Sequence, residues 1–317
     1  MPRSTERPPS SLLTGDVDRA AAAVRAGGLV AIPTETVYGL AADATDPAAV
    51  RRIFEVKGRP TDHPLIVHLA DADDLDDWAV SPSAAARLLA ATTWPGPLTV
   101  IVPRAPRVPD VVTGGRPTVG LRVPAHPATR ELIRRVGVPL AAPSANRFGA
   151  VSPTTAAHVL ADLGDRLDPA RDVILDGGPC PVGVESTIVD CVAEPPQILR
   201  AGGVPREQVE RLVGTVAGAS GPARASGMLA SHYAPRCRVI PVDTGEQAAA
   251  TLATTEGAVL LDLTDDLVAY ARRLYAELRA ADERGAAVVV AVLPPATGLG
   301  HAIRDRLLKA AAARPGA

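Results

Sequence analysis

The chain has 317 residues, a length that suits two domains better than one ordinary core. A composition of 47% hydrophobic and 21% charged residues excludes a disordered chain, and a net charge of -2 argues against a global electrostatic grip on nucleic acid or an anionic membrane. The three cysteines, Cys180, Cys191 and Cys237, are odd in number and widely spaced, which favours reduced thiols over a disulfide framework or zinc site. No signal-peptide pattern or membrane-length apolar run is present, so a cytoplasmic protein with no membrane partner is expected.

In chain order, residues 12–26 read as an amphipathic helix and 29–33 as a buried strand. Asp46 can cap a helix with Pro47 at its first position. That helix carries Val50, Ile53, Phe54 and then Lys57 in one phase, and stops at Gly58 and Pro60. Strands are predicted at 64–69, 98–102, 119–123, 139–142, 173–176 and 187–191, and helices at 82–91, 128–136 and 155–163. The mixture lacks strict alternation, so residues 12–212 predict an α/β domain with a twisted mixed sheet. Residues 213–235 have no periodicity and read as a linker. Beyond them, 236–317 alternate cleanly: strands 238–242, 258–263 and 287–293, helices 246–254, 265–281 and 299–312. This is a small Rossmann-like βαβαβα domain with a parallel sheet. Its long helix repeats Leu267, Val268, Ala271, Leu274, Tyr275 and Leu278 as one stripe, and no polar constellation stands out in the domain.

The sequence has no Gly-x-x-x-x-Gly-Lys-Ser/Thr, no full Gly-x-Gly-x-x-Gly, no Gly-x-Ser-x-Gly and no metal-ligand histidine spacing. Polar groups instead recur beside apolar strands. Pro33-Thr34-Glu35-Thr36-Val37-Tyr38-Gly39-Leu40 follows the first strand, and strand ends are where open sheets place ligand groups. Lys57-Gly58-Arg59-Pro60 puts two cations at a helix end, suited equally to the helix dipole and to a triphosphate. Pro143-Ser144-Ala145-Asn146 and Ser152-Pro153-Thr154 suit sugar or phosphate oxygens, and equally turns. Thr118 and Arg122 sit on a short strand where a charge needs a partner. Gly183-Val184-Glu185-Ser186-Thr187 enters another strand, and Arg200 ends an apolar segment.

In order and wording, these blocks resemble the YrdC-like family, and the whole architecture resembles its two-domain threonylcarbamoyl-AMP synthases. Further matching blocks are His63 with residues 64–69, Trp94-Pro95-Gly96-Pro97-Leu98-Thr99, Arg122-Val123-Pro124 with His126, His232-Tyr233-Ala234-Pro235 and Gly298-Leu299-Gly300-His301-Ala302-Ile303. The resemblance implies a nucleotidyltransferase that condenses L-threonine, bicarbonate and ATP with Mg²⁺ to L-threonylcarbamoyl-AMP and pyrophosphate. This is the first step of the threonylcarbamoyl modification of adenosine 37 in tRNA, and the product passes to a tRNA threonylcarbamoyl-transferase complex. By matching position, Thr36, His68, Arg122, Ala142 and Ser186 would line the threonine side. Lys57, Arg59, His63, Thr118, Ser144, Ser152, Arg200 and His232 would line the ATP side, with Lys57, Arg59 and Arg200 stabilising phosphate charge. His232 and Tyr233 would form a lid, and no resident metal ligands are implied.

Two departures stand out: residues 225–231 differ from the family's usual approach to the His-Tyr pair, and His63 and Ala201 replace a common asparagine and proline. A carbamoyl transferase with a YrdC-like domain is disfavoured because its zinc-finger and acylphosphatase-like regions are absent. An RNA-binding or ribosome-maturation role, or weak RNA binding beside catalysis, is the alternative from the same family. The net charge and the 3% aromatic content speak against it. Residues 236–317 are expected to anchor the lid.

Overall fold

The structure, a computed structural model, describes residues 10–220 and 232–312, so the altered linker stretch 225–231 lies outside the described residues. A 3-10 turn at Ser10–Leu12 leads into strand β1 (Leu13–Thr14), helix α1 (Val17–Arg25) and strands β2 (Val30–Ile32) and β3 (Gly39–Asp43). Then follow α2 (Pro47–Lys57), β4 (Ile66–His68), α3 (Leu75–Trp78), α4 (Ala84–Thr93), β5 (Leu98–Pro103), α5 (Asp110–Thr113) and β6 (Thr118–Arg122). The large domain continues with α6 (Pro127–Val136), β7 (Leu140–Ala141), α7 (Ala156–Leu163), β8 (Val173–Leu175), β9 (Thr187–Asp190), β10 (Gln197–Arg200), α8 (Arg206–Val213) and β11 (Ala217–Gly218). The small domain comprises β12 (Arg238–Val242), α9 (Gly245–Thr254), β13 (Ala258–Leu261), α10 (Leu267–Glu283), β14 (Val288–Val292) and α11 (Gly300–Ala311).

Strands β1 to β11 form one mixed sheet in the order β1-β8-β2-β3-β7-β4-β6-β5-β9-β10-β11; β12-β14-β13 form a separate parallel sheet. The expected α/β class and its parallel small sheet are therefore present. Seven elements went unpredicted: the short β1, α3, α5 and β11; β3, built of small residues; β10, noted only as an apolar segment; and α8. The first helix starts at Val17 rather than residue 12, because Asp16 caps it through the Asp18 backbone N–H. At α2, Asp46 and Gly58 cap the two ends as the sequence predicts, with Gly58 at φ 64°. Val268 departs from the apolar stripe of α10 and is 60% exposed.

Side-chain alternation sets what each face of the large sheet does. In register, Val67, Leu121, Val100 and Val189 turn to one face and join the main core with Val50, Ile53, Phe54 and Leu89 from the helices. The alternate residues Ile66, His68, Arg122 and Thr99 turn to the other face. That face is only partly covered, and the small domain closes over its rim. Val37, Val151 and Val184 of the large domain share a core with Tyr270, Leu274, Tyr275 and Leu278 of α10. Gly183, at φ 80°, permits this approach, since a Cβ there would stand 2.4 Å from the Arg272 Cα. Among the described residues no helix is long and apolar enough to cross a membrane.

Candidate active site

A polar cleft, open at its mouth, lies over the partly covered sheet face. Its floor is Ile66, His68 and Arg122, and its rims are the strand exits carrying Thr34 and Thr36, Pro143 and Ser144, Glu185 and Ser186, and Arg200. The ligand groups thus sit across a sheet face as well as at strand ends, which the strand-end expectation did not foresee.

All five residues expected on the threonine side, Thr36, His68, Arg122, Ala142 and Ser186, line this cleft. Arg122 is 4% exposed; its Nη2 donates to Glu35 Oε1 at 2.6 Å and to Thr36 Oγ1 at 3.0 Å, and its Nε donates to the Gly96 carbonyl at 3.1 Å. Glu35 is held from its other side by the Ala125 N–H. Nη1 of Arg122 has no hydrogen-bond partner among the described residues, so one face of a fixed guanidinium remains for a ligand anion. Thr34 Oγ1 donates to the Val37 carbonyl at 2.6 Å and meets Thr36 Oγ1 at 2.7 Å, which fixes both hydroxyls in the turn. Burial and the neighbouring Arg122 charge depress the His68 pKa to about 3, so its imidazole is neutral at pH 7.

On the expected ATP side, Arg59, Ser144, Arg200 and His232 line the cleft, and Tyr233 joins them. Arg200 donates to the Ser186 carbonyl from Nε and Nη2 and to the Ser186 Oγ from Nη2, while Ser186 Oγ lies 2.8 Å from Thr99 Oγ1. Burial lowers the Arg59 pKa to about 10, leaving it fully charged at neutral pH.

Four residues expected on the ATP side, Lys57, Ser152, His63 and Thr118, are not among those that line the cleft. Lys57 is buried at the end of α2, where Nζ donates to the carbonyls of Ser144, at 2.6 Å, and Asn146; burial lowers its pKa well below the usual lysine value. Its amine fixes the loop that carries Ser144. Ser152 Oγ donates to Glu185 Oε1 at 2.7 Å. His63 packs edge-on against Phe148, 5.4 Å between centroids. Thr118 pairs with Pro103 at the opposite end of β6 from Arg122.

Several contacts that build this wall are long-range and carry no local signal in the sequence. Glu185 Oε2 accepts from Arg306 Nε at 2.8 Å and from the Tyr275 hydroxyl at 2.8 Å, across the domain boundary. Burial pushes the Glu185 carboxyl up, but Arg306, Arg200 and the Ser152 hydrogen bond outweigh it and hold the pKa at about 2. Arg279 of α10 forms a second bridge, donating to Asp162 and to the carbonyls of Val151 and Ser152. Tyr233 adopts a left-handed φ of 61°, and its ring lies 4.1 Å from that of His232 and 5.6 Å from that of Tyr275. Its hydroxyl and Nδ1 of His232 are buried without hydrogen-bond partners among the described residues, beside the cleft.

Two family descriptions match this chain in succession: the Sua5/YciO/YrdC family, described as telomere recombination, over residues 22–202, and the threonylcarbamoyl-AMP synthase C-terminal domain over residues 204–312. The chain belongs to the Sua5/YrdC family. It is 41% identical to the threonylcarbamoyl-AMP synthase of Pyrococcus abyssi, covering 93% of this chain and 94% of that one. Identity to the Bacillus subtilis threonylcarbamoyl-AMP synthase is 40%, over 94% of this chain and 93% of the relative. A crystal structure of P. abyssi Sua5 complexed with L-threonine superposes with a TM-score of 0.87 at 39% identity, over 93% of this chain and 94% of that one. The two matches together span residues 22–312, and so both domains and the residues that line the cleft.

Proposed function

We propose that the chain is a threonylcarbamoyl-AMP synthase, a nucleotidyltransferase that condenses L-threonine, bicarbonate and ATP to L-threonylcarbamoyl-AMP and pyrophosphate. The observation that carries this reading is the gathering of Arg59, Arg122 and Arg200 with the hydroxyls of Thr34, Thr36, Ser144 and Ser186 in one cleft. Relatives over the full length bear that enzyme's name, and one is described in complex with L-threonine.

In the first step the threonine amine attacks the bicarbonate carbon, a C–N bond forms, and water leaves, giving a carbamate. A carbamate oxygen then attacks the α-phosphorus, the bond to the β-phosphate breaks, and pyrophosphate departs with the electron pair. Both steps bring anions together, so holding and neutralising them is the main task of the protein. Arg122, clamped by Glu35, offers Nη1 to the threonine carboxylate, while neutral His68 and Thr36 supply hydrogen bonds without added charge. Arg59 and Arg200 face the phosphates, and Lys57 holds Ser144 in place for them. His232 and Tyr233 cover the cleft wall and limit water around a hydrolysable intermediate.

Both carboxylates beside the cleft are engaged, Glu35 by Arg122 and Glu185 by Arg306, and no group of three potential metal ligands gathers among the described residues. Mg²⁺ would arrive with ATP, as part of the substrate. The product would serve the threonylcarbamoyl modification of adenosine 37 in tRNA, passed in the cytoplasm to the transferase complex that uses it. Incubation with ATP, Mg²⁺ and bicarbonate, with and without L-threonine, should release pyrophosphate only when all are present. Release independent of threonine or bicarbonate would refute the assignment.

A further inference from the structure

Aromatic residues make up 3% of the chain, yet Phe148, Tyr233 and Tyr275 line up with His63 and His232 in an unbroken row beside the cleft. Phe148 occupies the junction of that row. Its ring centroid lies 5.4 Å from that of His63 and 6.2 Å from that of His232, both edge-on, and the Arg59 guanidinium lies 5.8 Å from it. The Phe148 N–H donates to the Lys57 carbonyl at 3.0 Å. That bond ties the Phe148 loop to the end of α2, two residues before Arg59.

A cation that must meet phosphate oxygens needs to be oriented without losing its donors. Arg59 Nη2 already donates to the Pro64 carbonyl at 3.1 Å; an aromatic face adds a second orienting contact through its quadrupole and takes up no further N–H. The same ring meets His232 in a T-shaped arrangement, so one side chain contacts two residues of the cleft wall that approach from different segments.

We propose that Phe148 is a positioning residue for the ATP side of the cleft: its ring orients the Arg59 guanidinium towards the phosphates and seats His232. The proposal rests on the ATP-using reading given above. Its test compares ATP affinity, measured by calorimetry with Mg²⁺ on the full chain, for wild type, F148L and F148Y, and for R59K with and without F148L. Leucine retains apolar bulk and lacks the aromatic face, so a role in packing alone predicts little change. The expected result is an ATP affinity about five- to tenfold weaker in F148L, the scale of a partly desolvated cation–π contact, with F148Y within about twofold of wild type. In the R59K background F148L should add less than about twofold, because the ring then has lost the group it orients. Wild-type affinity in F148L, an equal loss in F148Y, or an undiminished loss in R59K would each overturn the proposal. Thermal melts check folding, and F148M supplies the same contrast if F148L does not fold. Pyrophosphate release on the same preparations reads the proposed activity separately. Wild type that binds ATP without threonine-dependent release would sink that activity and leave the affinities to judge Phe148.

Discussion

Arg306 Nε donates to Glu185 Oε2 at 2.8 Å, joining the last helix of the small domain to the cleft wall of the large one. Arg306 is fully buried and Glu185 is 6% exposed, so each is the other's compensation for leaving water. Arg306→Met should therefore destabilise the protein by about 3–5 kcal/mol, the cost of stranding one buried charge. E185Q/R306M, which keeps an acceptor for Tyr275 and Ser152, should recover at least half of that loss in denaturant titrations. Equal losses in the single and double variants would show that the pairing is not what matters.

Acid should weaken the fold through its buried histidines before it protonates the carboxylates. His68 and His232 are buried, and burial depresses both to about 3, against an ordinary value of 6.5. The unfolded chain therefore binds more protons than the native one between these values. Stability is intact above pH 6.5 and falls as pH drops towards 3, by up to about 1.4 kcal/mol per pH unit for each histidine. Glu185, held at about 2 against an ordinary 4.5, adds to the loss below pH 4.5 in the same direction. Unfolding free energies at several pH values should give a slope that H68Q reduces by about one proton between pH 6 and 4.

Arg59 and Lys57 are two residues apart and should fail differently. Arg59→Ala removes a cation from the cleft and should cut pyrophosphate release at least about a hundredfold, with the melting temperature little changed. Lys57→Met removes both bonds to the Ser144 and Asn146 carbonyls inside the protein, and should lower the melting temperature by about 4 °C or more along with activity. A thermally unaffected Lys57→Met variant would return the lysine to the phosphates.

Arg122→Lys keeps the charge and loses the fork that holds Glu35 and Thr36 together. The expected outcome in steady-state kinetics is a KM for threonine about tenfold higher, with the KM for ATP within about twofold. Equal rises for both substrates would place Arg122 elsewhere in the reaction.

Much of this architecture was readable because its causes are local. The small domain alternates apolar strands with amphipathic helices, and every one of its elements falls close to its expected position. Asp46, Pro47 and Gly58 mark α2 through short-range capping chemistry. Strand β3 escaped notice because Gly39-Leu40-Ala41-Ala42-Asp43 has small residues where an alternating pattern would show, and only its pairing with β2 and β7 makes it a strand. The cleft divides the same way. Hydroxyls and cations next to apolar runs are visible in one dimension, whereas Glu185 finds Tyr275 and Arg306 across 90 and 121 residues. Tyr275 reads as one more apolar position of its helix, and Phe148 falls outside every predicted element. Lys57 sits in the expected phase of its helix, but that phase points it into the protein rather than at the cleft.

The separation of Glu185 from Arg306 also sets an order of events during synthesis. At 5–20 residues per second, about 6 to 24 seconds pass between the two leaving the peptidyl-transferase centre. Through nearly all of that interval the nascent chain holds every residue of the threonine side and also Arg200, while Glu185 still lacks its ion-pair partner Arg306. A ribosome that stalls or terminates before helix α11 therefore yields a product with most of the cleft and none of its electrostatic keystone. Such fragments would carry Glu185 without the buried guanidinium that offsets it in the finished protein.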